Sequence, residues 1–137
     1  MASSPVAIPP IVLSFAASDP TGGAGIQADL LTLASMGCHG LSVLTALSVG
    51  DTTGTEDLQT IDPDWVSDQA RAVLEDMPVA AFKVGFLGGA EGVSAVAEIL
   101  SDYSDIPLVT YLPNLSWLED DVLQPYEDAF RELILPA

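Results

Sequence analysis

The chain has 137 residues, of which 49% are hydrophobic, enough for one globular domain with a buried core. It carries 20 acidic side chains against 3 basic ones, giving a formal net charge of -17. This balance argues against nucleic acid as a partner, because phosphate contacts need clustered cations, and it is typical of a strongly solvated surface.

The chain has one cysteine and one histidine, which limits the disulfides, metal sites and catalytic sites that it can form. Cys38 cannot form an internal disulfide and fits a reducing compartment, so we expect a cytoplasmic protein. We interpret Cys38 as a small core residue and not as a nucleophile. His39 alone cannot build a histidine-based zinc site or a Ser-His-Asp triad, and we predict no metal site. No apolar run is long enough to span a membrane.

The first ten residues lack the features of a signal peptide, and we expect a flexible lead-in over residues 1–10. The apolar run 11–17 then predicts a buried strand, and the periodic segment 24–36 predicts a helix ending at Gly37. Between them lies a turn with Gly22, Gly23 and Gly25. Such a turn at a helix start either holds a ligand against its backbone amides or serves only as tight-turn geometry.

The rest of the chain alternates in the same way. We predict a second strand over 41–49, broken by residues 50–54, and a short edge strand or flap of undefined type over 55–61. Asp62 and Pro63 start a helix to about residue 76, which should bury Trp65. Further segments are a strand over 80–87, a helix over 91–103, a strand over 106–112 and a helix over 119–135.

Strands that alternate with helices indicate an α/β fold, with βαβ units forming a parallel sheet of the Rossmann-like type. Ligands of such sheets lie beyond the carboxyl ends of the strands. Four segments should therefore converge on one rim: the glycine-rich turn, residues 50–54, residues 86–89 and the segment after Tyr111.

Four motifs occur in a specific order: ASDPTGGAGIQADL (17–30), SVLTAL (42–47), DTTG (51–54) and FKVGFLG (82–88). With them the chain resembles the hydroxymethylpyrimidine/phosphomethylpyrimidine kinases of thiamin biosynthesis, over roughly residues 11–109. The resemblance implies a ribokinase-like fold. It also implies phosphorylation of 4-amino-5-hydroxymethyl-2-methylpyrimidine, and then of its monophosphate, with Mg-ATP.

The family builds its substrate pocket from the first motif, so the resemblance implies substrate-binding roles for Gly22, Gly23, Ala24 and Asp29. The carboxylate of Asp29 could accept a hydrogen bond from the exocyclic amine of a pyrimidine. It could instead merely complement the dipole of the first helix.

Three departures from the family pattern alter this pocket. The family's pyrimidine-pairing glutamine is replaced by Gly50, followed by Asp51. Phe86 stands where methionine or leucine is usual, and its ring either stacks on a flat ligand or fills the pocket. After Val109 the family's Leu-Asp-Pro-Val is replaced by Thr-Tyr-Leu-Pro.

The chain is about half as long as the family needs, so we expect residues 11–137 to be the N-terminal half of a truncated ribokinase-like domain. No residue supports the implied ATP and Mg or a catalytic role, and Lys83 fits a structural or rim position better than an ATP clamp. The chain is then either the substrate-side half of a kinase or an inactive pyrimidine-binding or regulatory homologue. A scaffold that binds another phosphate ligand is a third reading. A half sheet should expose apolar surface, which predicts a homo-oligomer.

Overall fold

The computed structural model describes residues 8–137, and residues 1–7 of the predicted lead-in lie outside the described residues. Strands and helices alternate along most of the chain, so the predicted α/β fold is confirmed. The elements are β1 (Ile11–Ala16), α1 (Gly25–Ser35), β2 (His39–Leu44), β3 (Ala46–Asp51), β4 (Gly54–Thr60), α2 (Pro63–Asp76), β5 (Ala81–Val84), α3 (Ala90–Asp102), β6 (Leu108–Thr110) and α4 (Asp120–Ala129).

Four strands form one parallel sheet in the order β2-β1-β5-β6. The motif-bearing strand β1 is central, paired with β2 on one side and β5 on the other. Its side chains alternate, so that Leu13 and Phe15 enter the main core while Ser14 points toward α1 and bonds to Asp29 of that helix.

The main core lies between the sheet and the helices α2, α3 and α4. It contains Phe82 and Val84 of β5 with Val66, Val96 and Ile99 of the helices, all almost fully buried. Only Ile26 of α1 is fully buried, so this helix covers its own face of the sheet incompletely. The face of the sheet under α1 is therefore the more thinly covered one, although β1 itself is buried.

Helix α2 begins as predicted. The side chain of Asp62 accepts a hydrogen bond from the N–H of Asp64 at 2.8 Å, and Pro63 takes the first helical position. The prediction that Trp65 is buried is wrong, since 69% of its surface is exposed. The core-facing positions of α2 are Val66, Ala70 and Leu74, and Trp65 precedes the first of these on the solvent side.

The predicted second strand over 41–49 is wrong as one element, because the chain turns at Thr45 and forms two strands. Residues 46–51 leave the parallel sheet as β3 and pair with β4 in an antiparallel hairpin. Apolar composition cannot reveal this change, since both halves of the run are apolar. The ambiguous segment 55–61 is thereby explained as the second strand of the hairpin, with a register irregularity at Val49 and Gly50.

Helix α3 has the predicted length and starts one residue earlier, whereas the last two strands and the last helix are shorter than predicted. Strand β5 covers four residues and β6 only three, so the segments after Val84 and Thr110 are free to form the rim. Helix α4 ends at Ala129 and passes into a π-helical segment, Phe130–Ile134.

Candidate functional site

A cavity of about 500 Å³ opens at the carboxyl ends of β1, β5 and β6. The four segments predicted to converge on one rim do so here, and the hairpin β3–β4 supplies one wall. Its lining comprises residues 16–21, 23–25, 48, 50–55, 58, 83, 85, 86, 111, 113–115 and 117. Its volume is in the range of small-molecule sites.

The glycine-rich turn is held by its own polar groups. Oδ1 of Asp19 accepts hydrogen bonds from the N–H of Thr21 at 3.0 Å and from its hydroxyl at 2.9 Å. The N–H of Asp19 donates to Oε1 of Gln27 in α1 at 2.7 Å. Gly25 has φ 64°, and a Cβ there would lie 2.5 Å from the carbonyl oxygen of Ala17. Only glycine lets the helix start this close to β1.

Asp19 is kept ionised by this network. Desolvation raises the pKa of Asp19, but the hydrogen bonds from Thr21 and the amides of Ala24 and Gly23 together outweigh it, so the pKa lies below its usual value. The turn thus presents a stable negative charge and not an anion-binding nest. Some of its amides already donate to side chains of the turn, that of Thr21 to Asp19 and that of Gly23 to Thr21.

The tip of the hairpin carries a second carboxylate. Asp51 accepts hydrogen bonds from the hydroxyl and the N–H of Thr53 at 2.5 and 2.8 Å, and these lower the pKa of Asp51. Beside it, a Cβ on Gly50 would lie 2.4 Å from the carbonyl oxygen of Gly54. The hairpin therefore has no room for a side chain at position 50.

Aromatic rings form another wall of the cavity. Phe86 is largely buried and packs edge-on against Trp117, with ring centroids 5.7 Å apart. Tyr126 of α4 packs against Phe86 with ring centroids 5.1 Å apart. Its hydroxyl accepts a hydrogen bond from the N–H of Leu87 at 2.9 Å. Phe86 is thus held by two aromatic neighbours, and Tyr111 also lines the cavity. A flat ring can stack against such a wall.

Behind the rim, three side chains from three elements meet. Nζ of Lys83 (β5) lies 2.9 Å from both carboxylate oxygens of Asp29 (α1). The hydroxyl of Ser14 (β1) donates to Oδ2 of Asp29 at 2.6 Å. Ser14 and Lys83 are register partners in the sheet, which explains why one carboxylate reaches both. Lys83 also lies 5.8 Å from the ring centroid of Tyr111.

The predicted site residues do not all reach the cavity. Gly23, Ala24, Gly50 and Phe86 line it, whereas Gly22 and Asp29 are not among the lining residues. A direct contact of Asp29 with a ligand stays a prediction.

Sequence reasoning missed Ser14 and Trp117. Ser14 is polar at the centre of an apolar strand, which was the available signal for it. Trp117 lies in a segment without periodicity and gave none.

Residues 8–137 also bear on two other classes of site. They contain no group of three or more His, Cys, Asp or Glu side chains placed to hold a metal ion. Within the same range, no helix has both the length and the apolar character needed to cross a membrane.

Comparison with known proteins places these residues in context. The phosphomethylpyrimidine kinase family profile matches residues 19–135. The chain is 44% identical over 108 residues to the hydroxymethylpyrimidine/phosphomethylpyrimidine kinase of Streptomyces coelicolor, covering 79% of this chain and 40% of that protein. With the Escherichia coli protein of the same name it is 39% identical over 125 residues, covering 90% and 47%.

Solved kinase structures also match most of this chain with about half of their own length. A phosphomethylpyrimidine kinase from Clostridium difficile superposes with a TM-score of 0.83 and 32% identity, covering 92% of this chain and 56% of that one. A Bacillus subtilis pyridoxal kinase in an ADP complex gives a TM-score of 0.81 and 27% identity, covering 94% and 49%. The chain spans about half the length of the curated relatives it matches.

Proposed function

Because the chain belongs to the phosphomethylpyrimidine kinase family, we propose that it carries the substrate-side half of a hydroxymethylpyrimidine/phosphomethylpyrimidine kinase. The proposed activity is phosphorylation of 4-amino-5-hydroxymethyl-2-methylpyrimidine and then of its monophosphate, in thiamin biosynthesis. Residues 11–137 would form the N-terminal half of the ribokinase-like domain.

The observation that carries this proposal is the cavity itself. It brings three of the four family motifs, the glycine-rich turn, DTTG and FKVGFLG, to one opening with an aromatic wall. A pyrimidine ring is flat and apolar on its faces and polar at its edges. It would stack against Phe86 and Trp117 while its edges meet the polar groups of the turn and the hairpin.

ATP and Mg belong to this proposal through the family, not through the residues of this cavity. Two ionised carboxylates, Asp19 and Asp51, face the cavity, and its one basic side chain, Lys83, is already paired with Asp29. A triphosphate needs an excess of positive charge or free amides. The cavity therefore does not fit the nucleotide, and we assign it to the pyrimidine alone.

A chimera tests the kinase assignment. The chain would replace the matching portion of the Escherichia coli relative, and the chimera would be expressed in a strain lacking pyrimidine kinase. We expect growth without thiamin and ADP formation that depends on the hydroxymethylpyrimidine. A folded, soluble chimera that neither binds the pyrimidine in calorimetry nor turns it over would refute the proposal.

One observation favours a second candidate, an inactive pyrimidine-binding or regulatory protein. The family's pairing glutamine is replaced by Gly50, and the hairpin backbone leaves no space for a side chain there. A chimera that binds the pyrimidine but forms no ADP would favour this candidate. Binding with normal turnover would reject it.

The proposal also includes an oligomeric state and a cellular location. Self-association is supported by the exposed side chain of Val109 on the edge strand β6 and by the exposed Leu135 near the C-terminus. A cytoplasmic location is supported by the unpaired Cys38.

A further inference from the structure

We propose that Lys83 is the group that donates a hydrogen bond to the bound pyrimidine, and that Asp29 and Ser14 act as positioning residues that hold its ammonium at the cavity. This inference rests on the proposed function, because it names a polar contact of the same cavity. It also assigns Asp29 a role through Lys83 in place of direct contact with the ligand.

The hydrogen-bond geometry of Lys83 leaves one donor free. An ammonium group has three N–H donors. Two are accounted for by the two oxygens of Asp29, each 2.9 Å from Nζ. Among residues 8–137, no third hydrogen bond to Nζ is formed. Lys83 lines the cavity and Asp29 does not, so the remaining donor belongs to the side chain that a ligand can reach.

The carboxylate behind Lys83 is itself constrained. Ser14 is fully buried, and its hydroxyl donates to Oδ2 of Asp29 at 2.6 Å. Because Ser14 sits in the central strand and Asp29 in the helix that follows the glycine-rich turn, the ammonium is tied to two rigid elements. Gly85 gives it space, since a Cβ at that position would lie 3.2 Å from Nζ. A lysine held this way loses little further side-chain entropy when it binds a ligand.

Among the residues that line the cavity, Lys83 is the one positively charged hydrogen-bond donor. The other ionised groups of its lining are the carboxylates of Asp19 and Asp51, which can only accept hydrogen bonds. The chain's remaining basic side chains pair elsewhere, Arg71 with Asp102 and Arg131 with Asp128. A ring nitrogen or hydroxyl oxygen of the pyrimidine therefore finds its charged donor in Lys83. The amine of the same ligand can donate to the carboxylates.

The test is calorimetric titration of the 137-residue chain with 4-amino-5-hydroxymethyl-2-methylpyrimidine. Lys83→Met keeps most of the aliphatic stem and removes the ammonium, and we expect binding to weaken by about tenfold or more, as for a hydrogen bond from a charged donor. Lys83→Arg should restore part of the affinity. Arg71→Met is the matched control, because it removes a basic residue from an exposed ion pair outside the cavity lining, and it should bind as the wild type does.

A double-mutant cycle separates the two roles of Asp29. If Asp29 acts through Lys83, Asp29→Asn should weaken binding in the wild type and have little further effect in Lys83→Met. Additive effects would mean that Asp29 contacts the ligand itself and would overturn the positioning role. Thermal unfolding of each variant checks that the fold is kept.

A spectroscopic readout follows the ammonium directly. Lys83 is the one lysine of the sequence, so lysine labelled with ¹⁵N at Nζ gives a single side-chain resonance. We expect this resonance to shift when the pyrimidine binds, and to change in Asp29→Asn and Ser14→Ala before any ligand is added. If the wild type binds but Lys83→Met binds equally well, or the resonance does not move, this inference fails alone. A wild-type chain that binds no pyrimidine overturns the proposed function together with it.

Discussion

The hydroxyl of Tyr126 supports the cavity wall from inside the core, and removing it should have a measurable cost. Tyr126 is fully buried, and its hydroxyl accepts the N–H of Leu87 at 2.9 Å, next to Phe86. Tyr126→Phe keeps the ring contacts but leaves a buried N–H without its partner. An unsatisfied buried donor costs about 1–3 kcal/mol, so we expect the free energy of unfolding to fall by that amount.

Urea unfolding followed by fluorescence measures this change, with pyrimidine titration as the second readout. Because the lost bond fixes the chain next to Phe86, affinity for the pyrimidine should also fall. Tyr103→Phe is the control, since its half-buried ring packs at the edge of the core and its hydroxyl makes no hydrogen bond among residues 8–137. Equal stability of Tyr126→Phe and the wild type would refute the reasoning.

The same tyrosine predicts an alkaline instability. Burial raises the pKa of Tyr126 above its ordinary value of 10.0, and the N–H of Leu87 offsets this only in part. Below pH 10 the tyrosine is protonated in both states. Above pH 10 the unfolded chain loses the proton first, so stability should fall by up to about 1.4 kcal/mol per pH unit. Tyr126→Phe should lack this contribution, and an unchanged alkaline slope in that variant would contradict the assignment.

Three further tests concern the site and the edge of the sheet. Gly25→Ala should lower the free energy of unfolding in urea more than Gly37→Ala does. Both glycines have positive φ, but only at Gly25 would the added Cβ meet a backbone carbonyl. The Gly37 change should cost about 1–2 kcal/mol. Gly50→Gln should not tighten pyrimidine binding in calorimetry, since the hairpin backbone occupies the space for its Cβ, and a gain in affinity would contradict the described hairpin. Val109→Lys, on an edge strand where Val109 is 63% exposed, should shift light scattering toward the monomer, and an unchanged mass would place the self-association elsewhere.

Local signals in the sequence predicted most elements, because each depended on a few neighbouring residues. Asp62 and Pro63 defined the start of α2, and Gly37, with φ 77°, ended α1. Trp65 was misassigned because a large apolar side chain is usually buried, whereas its helical position decides which way it points. The hairpin was missed because the apolar run 41–49 is uniform, and only the pairing of β3 with β4 shows where it leaves the sheet.

For the site, the sequence alone determined the glycine-rich turn, its place between a buried strand and a helix, and the family to which the motif belongs. These features follow from short-range backbone requirements, which are readable in order along the chain. Only the tertiary structure decided which side chains face the cavity. Lys83 lies 54 positions from Asp29, and their contact arises because parallel pairing places Ser14 beside Lys83 under α1. Such register is set by the packing of the whole sheet, so spacing along the chain could not reveal it.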